Sequence, residues 1–322
     1  MTAKLDKKDW RILSCLCEDA RMSHQQIARK TKTNKNSVTY KIKRLEKKGV
    51  ISRFFTLVDI EPLGSVFYTI LIKLNTEKAK EFINHIKSND HITVIDKFVG
   101  RWNFLIEFVC KDPHTLFDFL RDIKKKFSDV IDTYEVHPNL EVYTIEQLPV
   151  ELIKKRHTPP PKKKKKRIIL DPIEIKLLQE LNKNSTTSLI KLGEKIGVTY
   201  KTISSKIRKL KREGIITKFT ASISLGALGY DVYLITIDLK NLSTTTESSL
   251  KNYLYKKKNI RAAFLSAVNQ KVFIYLAVKH SLELQDFIEN LNNEFGHFIV
   301  DQEYLLSSEQ IKYDLFPKGV LE

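Results

Sequence analysis

Two short rows of side chains carry the chemistry that stands out in this chain. One is Asn36, Tyr40, Lys43 and Lys47; the other, 165 residues later, is Lys201, Ser205, Arg208 and Arg212. At about 100° per residue, each row runs along one face of a helix. Lys35, Ser37, Thr39 and Arg44 flank the first row, and Tyr200, Thr202, Ser204 and Lys209 flank the second. Amide and guanidinium groups can make paired hydrogen bonds to the edge of a base, while lysines supply charge for phosphate. Neither central row contains an acid, since Glu46 and Glu213 lie off them. A basic helical face by itself is an ordinary solvated surface. Its meaning depends on the element that holds it.

That element is the third of three short helices in each half of the chain. Asp6 with Asp9 can cap a first helix, whose buried stripe is Ile12, Leu13 and Leu16. In the second half Asp171, Pro172 and Glu174 occupy the same offsets before Leu177, Leu178 and Leu181. Ser23 and Gln26 form a capping box for a second helix that turns Ile27 and Ala28 inward. Asn34 and Thr199 cap the third helices, whose apolar faces are Val38, Ile42 and Leu45, or Ile203, Ile207 and Leu210. Gly49 and Gly214 stop them, and the β-branched pairs Val50-Ile51 and Ile215-Ile216 begin strands. Three helices and a strand predict a winged helix-turn-helix, a fold whose third helix enters the major groove of double-stranded DNA.

The two halves are one module, duplicated. LDKKDWRIL at residues 5–13 falls on LDPIEIKLL at 170–178, and SVTYKIKRLEKKGVISRF on TISSKIRKLKREGIITKF. Leu63-Gly64 matches Leu228-Gly229; further on the offset becomes 168, where LFDFLRDIKKKF matches LQDFIENLNNEF. Between the copies lies RHTPPPKKKKKRIILD, residues 156–171. Lys162, Lys163, Lys164, Lys165 and Lys166 sit there among nine basic residues spread from Lys154 to Arg167 without an acid. The proline part predicts a stiff, extended spacer, and the lysines a strap for phosphate. The chain carries a net charge of +18, which favours polyanions, nucleic acid before anionic membrane. No apolar run approaches the ~20 residues a bilayer span requires, and the N-terminus lacks a signal-peptide core. Cys15, Cys17 and Cys110 have no metal-ligand spacing and predict a reducing, cytoplasmic setting, associated with the nucleoid.

The second part of each copy reads strand, helix, strand, strand, helix, strand. VFYTILIKL alternates, Thr76 can cap a helix carrying Ala79, Phe82, Ile83 and Ile86, and HITVIDKFVG and NFLIEFVC flank a turn at Gly100-Arg101-Trp102. Asp112-Pro113 opens another helix, and VIDTYEV returns as a strand. This order predicts a ferredoxin-like split βαβ sheet with helices on one face. The open face needs a cover, so the sheets are expected to pair, within the chain as a pseudo-dimer or between chains as a homo-oligomer. The fold class is thus α+β: winged helix-turn-helix at 1–61 and 168–226, ferredoxin-like αβ sandwiches at 62–150 and 227–322, and a linker at 151–167.

With these residues in view, nearly the whole chain resembles the leucine-responsive regulator (Lrp/AsnC) family, twice over. The resemblance rests on Asp6, Asp9, the Asp19-Ala20-Arg21-x-Ser23 segment, the Leu45-x-x-x-Gly49-Val50-Ile51 ending and the closing KYDLFP. It implies a transcription regulator that dimerises through its sheet domains, and an amino acid effector held at the turn after the second strand. That turn is Gly100, Arg101, Trp102 and Asn103, with an amide where the family's Gly-x-x-Asp pattern has a carboxylate. The second copy has Val268-Asn269-Gln270-Lys271, whose lysine would repel an α-ammonium. Its Ser185-Thr186 also replaces the Ala-Arg pair. Because the two third helices differ, an asymmetric operator is expected.

Two other functions compete. A protein that coats DNA with little sequence preference suits the charge and the lysine strap. Siroheme decarboxylases share the two-part architecture and carry a histidine and a tyrosine-arginine cluster on the second sheet strand. Here that strand reads Thr93-Val94-Ile95-Asp96-Lys97-Phe98 in one copy and Arg261-Ala262-Ala263-Phe264-Leu265 in the other, neither with a histidine. His91, His114, His137, His157, His280 and His297 share no site, and neither catalytic residues, metal nor cofactor are expected.

Overall fold

The third helix of each helix-turn-helix module is followed by a strand whose pairing partner lies in the other copy. The computed structural model describes residues 3–75, 78–149 and 167–322; Thr76 and the lysine run lie outside them. Two compact units are present, one holding both helix-turn-helix modules and the other both sheet domains.

In the first unit, α1 (Lys7–Glu18), α2 (His24–Thr31) and α3 (Lys35–Lys47) lead into β1 (Ile51–Val58), and α6 (Pro172–Lys183), α7 (Leu189–Ile196) and α8 (Tyr200–Arg212) into β6 (Ile216–Ile223). The capping boxes at Asp6–Asp9, Ser23–Gln26 and Asp171–Glu174 all form, and Asn34 and Thr199 accept from the backbone N–H three residues on. Gly49 (φ 67°) and Gly214 (φ 77°) take the left-handed conformation that ends α3 and α8. β1 and β6 pair antiparallel, Phe55 against Thr220 and Thr56 against Phe219. Cross-copy hydrogen bonds occur in matched pairs, Ala20 N to Phe219 O (3.0 Å) with Ser185 N to Phe54 O (3.1 Å). Thr220 Oγ1 donates to Cys17 O (3.1 Å), and Thr56 Oγ1 to Leu181 O (3.0 Å). The modules are therefore related by an approximate two-fold axis.

In the second unit, β2 (Val66–Leu74), α4 (Ala79–Lys87), β3 (Ile92–Val99), β4 (Phe104–Cys110), α5 (Pro113–Lys126) and β5 (Ile131–Ile145) form one sheet domain. Its copy is β7 (Asp231–Leu239), α9 (Thr244–Lys256), β8 (Ile260–Ser266), β9 (Val272–Val278), α10 (Ser281–Phe295) and β10 (Ile299–Tyr313). The two sheets do more than face each other; they close into one barrel, β10-β3-β4-β2-β5-β8-β9-β7. Two 15-residue strands close it. The first half of β5 pairs with β2 and its second half with β8, while β10 passes from β7 to β3. Pro138, which lacks an N–H, stands where β5 leaves β2 for β8, a position that tolerates the missing donor.

Alternation divides each strand between two cores. On β4, Phe104, Ile106, Phe108 and Cys110 pack under α4 and α5, while Leu105 joins an inner cluster with Leu71, Phe98, Trp102, Leu234, Phe264, Phe273 and Leu305. Polar groups share the interior. Glu107 accepts from Thr69 (2.7 Å) and Asn139 (3.1 Å), and Asp96 accepts from Tyr275 (3.2 Å) and Gln310 (3.1 Å). Burial raises Asp96 to about 6 and Glu107 to about 7. The three cysteines are buried and unbridged.

Candidate nucleic-acid interface

The faces of α3 and α8 are sorted by charge, and the sorting is done by α1 and α6. The cap carboxylate three positions into each first helix is fully buried, Asp9 in one copy and Glu174 in the other. Asp9 Oδ2 accepts from Asp6 N (2.9 Å) and from Arg44 Nη2 (2.5 Å), and Oδ1 from Lys41 Nζ (2.9 Å). Lys41 also donates to Asp6 (2.6 Å), and that bond is the main reason the Asp6 carboxyl falls to about 2. In the second copy Glu174 accepts from Lys206 (3.2 Å) and Lys209 (2.8 Å), and Lys206 also meets Asp171. The Lys209 ammonium rises above its ordinary value through its bond to Glu174. One acid thus pins two cations of each third helix to the body of its module.

Arg44 and Lys209, which the sequence groups with the outward face, therefore point back to Asp9 and Glu174. Lys41 and Lys206 complete the same clusters and have no place in the sequence reading. A usable signal existed: acid and both cations keep their charge in both copies, at Asp9/Glu174, Lys41/Lys206 and Arg44/Lys209.

The central rows remain open. Lys35, Asn36, Tyr40, Lys43 and Lys47 are exposed on α3, with Tyr40 at 66%. Tyr200, Lys201, Ser205, Arg208 and Arg212 are exposed on α8, with Tyr200 at 53%. Ser37, Thr202 and Ser204 are half-buried. Thr39 is also half-buried, donates to Lys35 O (3.0 Å) and contacts His24 Nδ1 (2.7 Å). Arg21 is a second residue with an unforeseen role. Its Nη1 donates to the carbonyls of Ser185 (2.6 Å) and Thr187 (2.8 Å), binding the first module to the second. The equivalent position in the second copy is Thr186, so the clamp is one-sided.

The turn expected to hold an effector lies in the other unit. Trp102 is 1% exposed, inside the barrel, and its Nε1 donates to Glu303 Oε2 (2.7 Å). Arg101 donates to Glu303 Oε1 (2.6 Å), and Asn103 Oδ1 accepts from Leu74 N (2.7 Å). Gly100 (φ 150°) sits where a Cβ would come within 2.5 Å of Leu305 Cδ2. In the second copy Lys271 is buried between Glu135 (3.4 Å) and Asp238 (3.2 Å). Among the described residues, no group of His, Cys, Asp and Glu could hold a metal ion, and no helix is long and apolar enough to cross a membrane.

This geometry defines a duplicated DNA-binding module, and comparison with known proteins agrees. A winged helix-turn-helix DNA-binding family model matches residues 5–52 and again 170–217. An uncharacterized HTH-type transcriptional regulator of Pyrococcus horikoshii is 26% identical over 146 residues, 45% of this chain and 95% of that protein. The leucine-responsive regulatory protein of Rhizobium meliloti is 25% identical over 125 residues, 38% of this chain and 80% of its own. The HTH-type transcriptional regulator Ptr1 of Methanocaldococcus jannaschii is 29% identical over 119 residues, 37% of this chain and 80% of its own. The chain is thus similar to transcription regulators of the Lrp/AsnC type, with the winged helix-turn-helix module present twice. Its whole length also matches the solved structure of the siroheme decarboxylase NirDL, with a TM-score of 0.66 at 12% identity, covering 98% of this chain and 96% of that one. That likeness is one of fold.

Proposed function

We propose that this protein is a sequence-specific transcription regulator whose helices α3 and α8 enter the major groove of double-stranded DNA. The observation that carries the reading is the sorting just described. The acids of each module hold Lys41, Arg44, Lys206 and Lys209 inward and leave Asn36, Tyr40, Lys43 and Lys47, or Lys201, Ser205, Arg208 and Arg212, facing out. Lys35, Ser37, Thr39, Tyr200, Thr202 and Ser204 line the approach, and Lys162 to Lys166 add phosphate contacts between the modules. The closed barrel makes the chain its own pseudo-dimer, and further association proceeds through the αβ domains. The turn Gly100–Asn103, whose Arg101, Trp102 and Asn103 are already bonded within the sheet domains, is the candidate place for a small-molecule effector such as an amino acid. The setting is the cytoplasm, on the nucleoid. Substituting Lys43→Glu together with Arg208→Glu tests the reading: retention of duplex oligonucleotides in a gel is expected to disappear, and unchanged retention refutes it.

The whole-chain likeness to siroheme decarboxylase supports an alternative, an enzyme acting on a tetrapyrrole. Titrating the purified protein with siroheme separates the two. Saturable visible absorbance of the bound pigment favours the enzyme, and none favours the regulator. The net charge of +18 supports a further variant, a protein that coats DNA. Genome-wide occupancy at a few promoters marks a regulator, and continuous coverage an architectural protein.

A further inference from the structure

The first unit presents two unequal chemistries in equivalent positions. β1 and β6 pair antiparallel with Phe55 opposite its counterpart Thr220, and the cross-copy bonds of Ala20 and Ser185 repeat across the axis. A frame with two-fold symmetry offers its third helices to the two halves of an inverted repeat. The side chains break that symmetry. Asn36 stands where the second module has Lys201, Tyr40 where it has Ser205, and Lys43 where it has Arg208. All six are exposed, so their identities are not set by packing. The arginine that α3 does carry, Arg44, is bound to Asp9 and turned away.

Each set matches a different base edge. A carboxamide pairs bidentately with adenine N6 and N7, and an aromatic ring lies against the thymine methyl. A guanidinium or ammonium near the major-groove floor prefers guanine O6 and N7. The first turns of the third helices come closest to the bases, which places Asn36 and Lys201 at comparable depth and Tyr40 and Ser205 one turn later. We propose that the operator is a pseudo-repeat with unlike halves: A·T pairs under α3, read by Asn36 and Tyr40, and guanine under α8, read by Lys201 and Arg208. The inference rests on the DNA-binding reading above and adds the base content of each half-site. A two-fold frame with unequal faces also gives the bound chain a direction on DNA, which a homodimer lacks.

The test is selection of bound duplexes from a randomised pool by the full chain, repeated with the variant Asn36→Lys, Tyr40→Ser, Lys43→Arg. Wild type is expected to enrich one A·T half and one guanine-bearing half in a fixed order. The variant, whose α3 now matches α8 at the three base-reading positions, is expected to enrich an inverted repeat of the guanine-bearing half. Changing the selected guanine to adenine is expected to weaken wild-type binding roughly tenfold to a hundredfold, a difference that Arg208→Ala reduces. An inverted repeat selected by wild type, or the same site selected by wild type and variant, overturns the proposal. Salt-sensitive retention without any enriched sequence overturns it too while leaving DNA binding standing. Retention of no duplex at all removes the DNA-binding reading beneath it.

Discussion

Replacing Asp9 by alanine removes the centre of a buried ion cluster, and its cost can be worked from the contacts. The carboxylate accepts from Lys41, Arg44 and the Asp6 backbone, with its side chain 1% exposed. Breaking a buried pair by deleting one partner costs roughly 3–5 kcal/mol, because the other charge stays desolvated. Two features lower that figure. Lys41 keeps Asp6, a half-exposed partner of modest worth, and the Arg44 side chain at 29% exposure can turn toward water. Loss of the capping box adds about 0.5 kcal/mol. A net destabilisation of about 3 kcal/mol follows, and with an m-value of about 2 kcal/mol/M the urea midpoint of the first unit should fall by about 1.5 M. Trp10, next to Asp9 on α1, reports this unit once Trp102, the second of the two tryptophans, is changed to phenylalanine in both proteins compared. Asp9→Asn keeps an acceptor and the shape and should lose about half as much. A midpoint shift below about 0.3 M in Asp9→Ala would refute the claim that this acid anchors α3.

Three further outcomes are expected. Burial raises Asp96 and Glu107 to about 6 and about 7, against roughly 4 in an unfolded chain, so between pH 4 and 7 the folded barrel holds protons the unfolded chain has lost. Barrel stability should therefore fall as pH rises through that window and level off above it; Glu107→Gln, followed by Trp102 fluorescence in a Trp10→Phe background, should flatten the fall. Arg21→Ala removes two charge-assisted bonds between the modules and should lower the Trp10 urea transition by about 2 kcal/mol, whereas Thr186→Ala at the equivalent position should leave it unmoved. Replacing Lys162, Lys163, Lys164, Lys165 and Lys166 with glutamine should flatten the salt dependence of DNA retention by up to about 4.5 units of log–log slope, and an unchanged slope would exclude a phosphate strap.

What could be read in advance was local. Caps at Asp6, Ser23, Asn34, Asp171 and Thr199, and the glycines ending α3 and α8, act over three or four residues and leave their signature in that span. Barrel closure is not local. VIDTYEV marks the first half of β5, but the strand runs on to Ile145 because its second half finds β8, more than a hundred residues away. The α3 face shows the same division. Helical periodicity separates core from solvent, yet Arg44 and Lys43 are neighbours in sequence, and only the tertiary position of Asp9 turns one inward. At the turn of Gly100 the residue type was the available clue. A tryptophan carries too much apolar surface to sit idle in an open turn, and Trp102 is in the barrel core.

The likeness to siroheme decarboxylase and the kinship with regulators are not in conflict once frame and faces are separated. A fold specifies where side chains can be presented, and chemistry depends on which are there. Pairing of two helix-turn-helix modules and closure of two sheets are frame properties, and they coincide over 98% of this chain with a protein of 12% identity. The face properties differ in kind. In the sheet domains the inner wall is built from Phe98, Trp102, Phe264, Phe273 and Leu305, with Asp96 and Glu107 held by neutral donors and Lys271 buried between Glu135 and Asp238. A DNA-binding protein needs its chemistry on the third helices, where the buried acids of the first helices hold part of the cations inward and amide, hydroxyl and cationic groups of the central rows are exposed. That sorting, one acid buried against two of the third helix's own cations in each copy, is the feature that supports the DNA-binding reading, and titration with siroheme tests the alternative.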